Sequence, residues 1–134
     1  MILARLNLYL ENQNLLTEEQ AGFRRNRSTT YQQTKLTQGI KKAFNQHDNV
    51  LADFVDFSGA YDSIWRAKHI EKLRNMNIEG NMLTWISRFS DQRWTKVKYG
   101  ETFSKYKQRR VGLPQGALTS TTLFNAYNID LQTL

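Results

Sequence analysis

Apolar side chains return at helical spacing in five stretches of this 134-residue chain. A chain patterned this way is committed to amphipathic helices packed around a shared core. The clearest stripe is Met82, Trp85, Ile86 and Phe89, which stops near Asp91. Ile2, Leu3, Leu6 and Leu10 predict a helix over residues 2–12, closed by Asn12, Gln13 and Asn14. Leu36, Ile40, Ala43 and Phe44 predict another from Thr29 to about Gln46, with Lys35, Lys41 and Lys42 mostly off that face. A third helix, from about Ser58 to Met76, is expected to carry Tyr61, Ile64, Trp65, Leu73 and Met76 inward before Asn77 to Gly80 close it. The last, from about Ala117, is expected to bury Leu123, Phe124, Tyr127 and Leu131, with Thr119 or Ser120 as its cap. Thr17, followed by Glu19 and Gln20, reads as the cap of a short helical turn.

Two stretches break the helical period. Leu51, Ala52, Phe54 and Val55 read as a short strand that ends in a carboxylate, Asp56, and passes through Ser58 and Gly59 into the third helix. A strand that delivers an acid to the edge of a cleft holds it rigidly, but on local chemistry alone Asp56 and Ser58 are turn and N-cap residues. From Trp94 to Ser104 the sequence alternates, with Thr95, Val97 and Tyr99 on one side and Lys96 and Lys98 on the other, which predicts a β-hairpin. It leads into residues 105–111, where Lys105, Lys107, Arg109 and Arg110 surround Tyr106. That pattern suits a solvated edge strand made basic against aggregation, or a contact with phosphate. The expected fold class is α+β, mostly helical with a small antiparallel sheet.

Composition narrows the partners. The formal charge of +7 favours a polyanion, with nucleic acid the first candidate and an anionic membrane surface the second. No run reaches the roughly 18 apolar residues of a membrane span. The N-terminus interrupts its apolar residues with Arg5 and lacks a small-residue cleavage site, so it reads as part of the fold, and an intracellular setting, nuclear or cytoplasmic, is expected rather than a secreted one. The absence of cysteine excludes disulfides and thiolate zinc sites, and His47 and His69 are too few for an imidazole metal site. A chain that starts inside an apolar helix with no preceding cap reads as a piece of something longer.

Residues 112–116, Gly-Leu-Pro-Gln-Gly, hold the only proline. Pro114 fixes its own φ and biases Leu113 toward extended geometry, while Gly112 and Gly116 permit close backbone approach. A plain turn needs no glutamine. Gln115 in so rigid a loop can present its amide to a base or sugar.

Three segments, QAGFRRNRST at 20–29, DFVDFSGAYDSIW at 53–65 and GLPQGALTSTTLFNAYNIDL at 112–131, resemble in this order and spacing the fingers and palm of reverse transcriptases. The likeness is closest to the enzymes of non-LTR, LINE-type retrotransposons, and residues 85–99 look like the helix and hairpin between the second and third segments. The resemblance covers nearly the whole chain, as one partial domain truncated at both ends: residues 1–50 resemble fingers helices and 51–134 the palm. Such enzymes copy an RNA template by joining deoxynucleotides to a DNA primer, with two Mg²⁺ ions neutralising charge on the attacking and leaving oxygens.

The resemblance implies roles. Asp56 matches the first metal-binding aspartate, and Phe57 the residue whose backbone meets the second ion. Tyr61 matches the aromatic that walls off the 2′ position of the nucleotide, and Gln115 and Gly116 match the loop against the incoming nucleotide and template base. Asp62 belongs to the signature as a structural helix residue. Arg24, Arg25 and Arg27 fall where the fingers meet template or phosphate, and Lys105, Lys107, Arg109 and Arg110 join them as candidate nucleic-acid contacts.

The chain departs from the pattern as well. The Asp-Asp of the third palm motif occurs nowhere in it, and Thr119-Ser120-Thr121 replaces Leu-Ser-Pro. A single carboxylate does not hold two hydrated Mg²⁺ ions. Two readings follow: a fragment of an RNA-directed DNA polymerase, inactive alone, or a non-catalytic remnant of a retroelement, either a basic nucleic-acid-binding one or a relic without function. Both predict an unpaired sheet edge, an exposed apolar face and marginal stability in isolation.

Overall fold

Leu6, Leu10, Leu73, Ile86 and Leu123 have no accessible surface and form the centre of the core. They do so in the computed structural model, which describes residues 1–91 and 93–132, with side chains through Asp130. The helices that supply them are α1 (Ile2–Asn12), α3 (Arg66–Asn75), α4 (Gly80–Ser90) and α5 (Leu118–Tyr127), followed by a short 3-10 helix at Ile129–Gln132. α5 packs on α1 and on α3, and α3 packs on α4. The remaining helix, α2 (Thr29–Asn45), starts at Ser28, whose hydroxyl accepts from the Tyr31 N–H at 3.2 Å.

Three helices stop by the same device. Asn14, His47 and Asn77 stand one residue past the caps of α1, α2 and α3 with φ of 50°, 61° and 57°, the left-handed conformation of a Schellman ending. After α3, the Asn77 N–H donates to the Arg74 carbonyl at 2.8 Å and the Ile78 N–H to the Leu73 carbonyl at 3.0 Å. Ile78 is buried beside that last turn. Asparagine tolerates this backbone better than most side chains do, so the polar residues expected to close the first and third helices do close them.

Several expectations are corrected. No strand forms over residues 51–57, which take no regular secondary structure and are exposed; an isolated strand gains nothing without a ladder partner, and none of the described residues supplies one. The third helix starts at Arg66 rather than Ser58. Gly59, at φ 61°, turns the chain instead, its carbonyl accepting from the Asp62 and Ser63 N–H groups at 2.9 Å each. Trp65 then lies outside the core, 61% exposed. Helix α5 is capped by neither Thr119 nor Ser120: its N-cap is Ala117, with no side-chain bond. Leu123, Phe124 and Tyr127 reach the core as expected, whereas the expected packing of Leu131 lies outside the described side chains. The apolar face of α2 is formed, but none of its residues is buried.

The alternating stretch is a long two-stranded ribbon. Strand β1 (Arg93–Thr95) pairs antiparallel with β4 (Lys107–Arg109), and β2 (Lys98–Tyr99) with β3 (Thr102–Phe103) around a turn at Gly100. Thr95 faces Lys107 and Lys98 faces Phe103, so the returning side carries one residue more than the outgoing side between these pairs. Ser104 occupies this bulge, donating its N–H to the Val97 carbonyl and accepting the Val97 N–H on its hydroxyl, both at 2.9 Å. The hairpin therefore extends past Ser104 through the basic segment, and every residue from Trp94 to Val111 is exposed.

Candidate functional site

The rigid loop after the ribbon forms one wall of a cleft. The Gly112 N–H donates to the Ile64 carbonyl and the Leu113 N–H to the Tyr61 carbonyl, each at 2.8 Å. A β-carbon on Gly112 would lie 2.8 Å from the Tyr61 oxygen and 2.9 Å from Asp62 backbone atoms, at a φ of +85°; only glycine fits there. Gly116 also has positive φ, +80°, but faces open space, so its requirement is conformational. Arg66 fastens the loop's start, donating from Nε to the Gly112 carbonyl and from Nη2 to the Val111 carbonyl, both at 3.0 Å.

This anchoring brings Tyr61, Gln115 and Gly116 onto one cleft of about 430 Å³, completed by Ala117, Leu118, Ser120 and Thr121. The Tyr61 ring rests on Phe124 with centroids 5.1 Å apart, and Phe57 meets Phe124 edge-on at 6.4 Å. Asp62 sits in the Gly59 turn rather than in a helix and joins three elements. Its Oδ2 accepts from Gln115 Nε2 at 3.0 Å and its Oδ1 from Arg109 Nη2 at 3.3 Å. Because a carboxylate only accepts, it takes the NH₂ end of the Gln115 amide and turns the carbonyl oxygen away. On the same wall, the buried Ser120 hydroxyl has no hydrogen-bond partner among the described residues.

Asp56 does not line that cleft. It is exposed on the irregular 51–57 segment, and no group of three or more His, Asp or Glu side chains among the described residues is arranged to hold a metal ion. One exposed carboxylate and the neighbouring Phe57 carbonyl do not match the several oxygen donors that Mg²⁺ requires. The residues present do not fit a two-metal centre.

The arginines of the first motif separate. Arg24 is turned inward: it pairs bidentately with Glu11, with Nε 2.8 Å from Oε1, and donates to the Thr17 and Gln20 carbonyls. This pairing, opposed by some burial, holds the Glu11 carboxyl below its ordinary range. Arg25 is exposed and Arg27 half-buried. Lys105, Lys107, Arg109 and Arg110 are all exposed on the ribbon, away from this motif in sequence, and among the described residues Arg109 alone of the four has an ion pair, with Asp62.

Other contributions were not legible in the sequence. Asn125 on α5 is buried and binds the first motif on both sides, accepting from Gln20 Nε2 at 2.9 Å and donating to the Gly22 carbonyl at 2.7 Å. Lys72 closes the end of α5, donating to the Tyr127 carbonyl at 2.6 Å and pairing with Asp130 at 2.7 Å. His69 is fully buried against Tyr127, with no well-formed hydrogen bond to either ring nitrogen among the described residues. Burial first, and the Lys72 charge second, lower its pKa to about 4, against a weak opposing contact with the Leu123 backbone. Lys72 and His69 lie outside the motifs and Asn125 within the third, and only the folded chain brings their partners together.

The family model for reverse transcriptase (RNA-dependent DNA polymerase) matches residues 1–131. Among curated proteins, a probable RNA-directed DNA polymerase from transposon BS of Drosophila melanogaster is 29% identical over 131 residues, covering 98% of this chain and 14% of that protein. The RNA-directed DNA polymerase from mobile element jockey, of the same organism, is 23% identical over 133 residues, covering 99% of the chain and 14% of the relative. The chain thus spans about one seventh of the length of these relatives. No solved structure matches it significantly, and no helix among the described residues is long and apolar enough to cross a membrane. The motifs, their order and the match over nearly the full length lead to one assignment: the chain belongs to the reverse transcriptase (RNA-dependent DNA polymerase) family.

Proposed function

We propose that this chain is the nucleotide-facing piece of an RNA-directed DNA polymerase of the non-LTR retrotransposon type. In this reading the Tyr61–Gln115–Gly116 cleft receives the incoming deoxynucleotide and the template base. The carrying observation is convergence: residues from two motifs far apart in the sequence line one cleft. The Tyr61 ring, backed by Phe124, excludes a ribose 2′-hydroxyl by volume, and the Gln115 amide, oriented by Asp62, offers its carbonyl oxygen to a donor on sugar or base. Arg25 and Arg27 contact template or phosphate, while Arg24 serves the fold.

Reverse transcriptases use divalent metal ions, and Asp56 with the Phe57 carbonyl is this chain's contribution to holding them. Further carboxylates are needed beyond those it contains, so the chain does not extend a primer unaided. An RNA template paired to a DNA primer, with the matching deoxynucleoside triphosphate, is the substrate to test. Titrating this complex into isotope-labelled chain should shift the NMR signals of the Gln115 side-chain amide and the Gly116 N–H, and Tyr61→Ala should abolish those shifts. Shifts confined to residues outside the cleft would refute the reading.

A further inference from the structure

We infer that the ribbon over residues 93–111 is a binding platform for single-stranded nucleic acid, separate from the cleft. The inference rests on nucleic acid being this chain's partner and adds where, and in which form, it is held. Seven of the nineteen ribbon residues are Lys or Arg and one, Glu101, is acidic, so the ribbon holds six of the chain's seven net positive charges. The pairing register concentrates them further. Arg93 stands directly opposite Arg109, with Lys107 two residues along on the same face. Like charges placed opposite one another oppose strand pairing, and a two-stranded ribbon is marginal to begin with. A polyanion laid along the ribbon removes that repulsion.

Charge alone suits any polyanion; the aromatic residues select the form. Trp94, on the face of the ribbon opposite Arg93 and Arg109, and Tyr99 are 60% and 88% exposed. Lys96 Nζ lies 3.9 Å from the centroid of Phe103 and 5.2 Å from that of Tyr106, setting a cation among the rings. Cations interleaved with exposed aromatics are what a single strand needs, because its phosphates meet the charges while its unstacked bases lie on the rings. A duplex keeps its bases stacked inside and offers only phosphates. A basic ribbon serving solubility alone requires no exposed tryptophan.

The test uses the whole 134-residue chain and fluorescein-labelled 20-nucleotide oligouridine, with a 20-base-pair RNA duplex for comparison, by fluorescence anisotropy over a range of salt. Tighter binding of the single strand is expected. Trp94→Ala with Tyr99→Ala should weaken oligouridine binding about tenfold or more with an unchanged salt slope, and should leave duplex binding alone. Lys105→Ala with Lys107→Ala should flatten the salt slope for oligouridine by about 1.4. Far-UV circular dichroism and Trp94→Phe, which keeps a ring and should keep the affinity, guard against misfolding. Equal or tighter duplex binding, or an aromatic double variant that still binds oligouridine normally, overturns the platform while leaving nucleic acid as the partner. Absence of binding to either probe overturns both.

Discussion

Helices α1 and α2 are both amphipathic, α1 on a more apolar sequence, and end in the same left-handed turn, at Asn14 and His47. Their fates differ completely. α1 buries Leu6 and Leu10 against the other core helices, whereas α2 buries nothing and leaves Phe44 63% exposed. Helix formation and termination are decided within a dozen residues by spacing and caps. What covers the apolar face is decided by the rest of the fold. The Leu51–Phe57 segment behaves as α2 does: Leu51, Phe54 and Val55 are among the most exposed apolar residues of the chain.

The contrast can be broken most directly in the two apolar stripes. Leu10→Ala should cost about 2–5 kcal/mol in a denaturant titration, the price of emptying a closed site. Phe44→Ala should stay within roughly 0.5 kcal/mol. A large loss at Phe44 would mean that α2 is covered in solution.

The second effect is confined to the core. His69 has its pKa lowered from 6.5 to about 4 in the fold, so the unfolded chain binds its proton first as the medium is acidified. The stability contributed by a neutral His69 is complete above about pH 6.5, is lost as the pH falls toward 4, and amounts to about 3 kcal/mol when the loss is complete. Unfolding followed from pH 7.5 to 4 should show that decline, and His69→Leu should flatten it; an identical decline in the variant would clear His69 of the effect. Smallest, and opposite in sign, is Gly39→Ala. With nothing within 4 Å of an added β-carbon inside α2, it should raise stability by up to about 1 kcal/mol. A loss would again point to a hidden cover on that helix.

Most helices were legible because their signals are local. The stripes of α1, α2 and α4 and the closing asparagines Asn14 and Asn77 could be read from neighbouring residues. The ribbon was legible through alternation and through the basic edge strand over residues 105–111, although the bulge at Ser104 that joins the two was not. Gly59 misled: inside an apolar pattern it reads as a tolerated helix residue, and its positive φ becomes visible only once the Gly112 loop pins residues 61–64 from outside. The cleft was legible only through resemblance, which placed Tyr61, Gln115 and Gly116 together. Asp62 as the residue that orients Gln115, and Arg24 as an internal clamp on Glu11, depend on long-range contacts that no local pattern encodes.

The central claim is that the chain assembles the nucleotide-facing cleft but not the metal centre. Primer extension on an RNA template with Mg²⁺ and all four deoxynucleoside triphosphates, comparing this chain with Asp56→Ala, tests it most directly. The prediction is no product from either protein, under conditions where both bind the template–primer. Extension by the unaltered chain that disappears in Asp56→Ala would contradict the account, because a working metal centre would then have formed around a carboxylate that stands exposed on an unpaired segment.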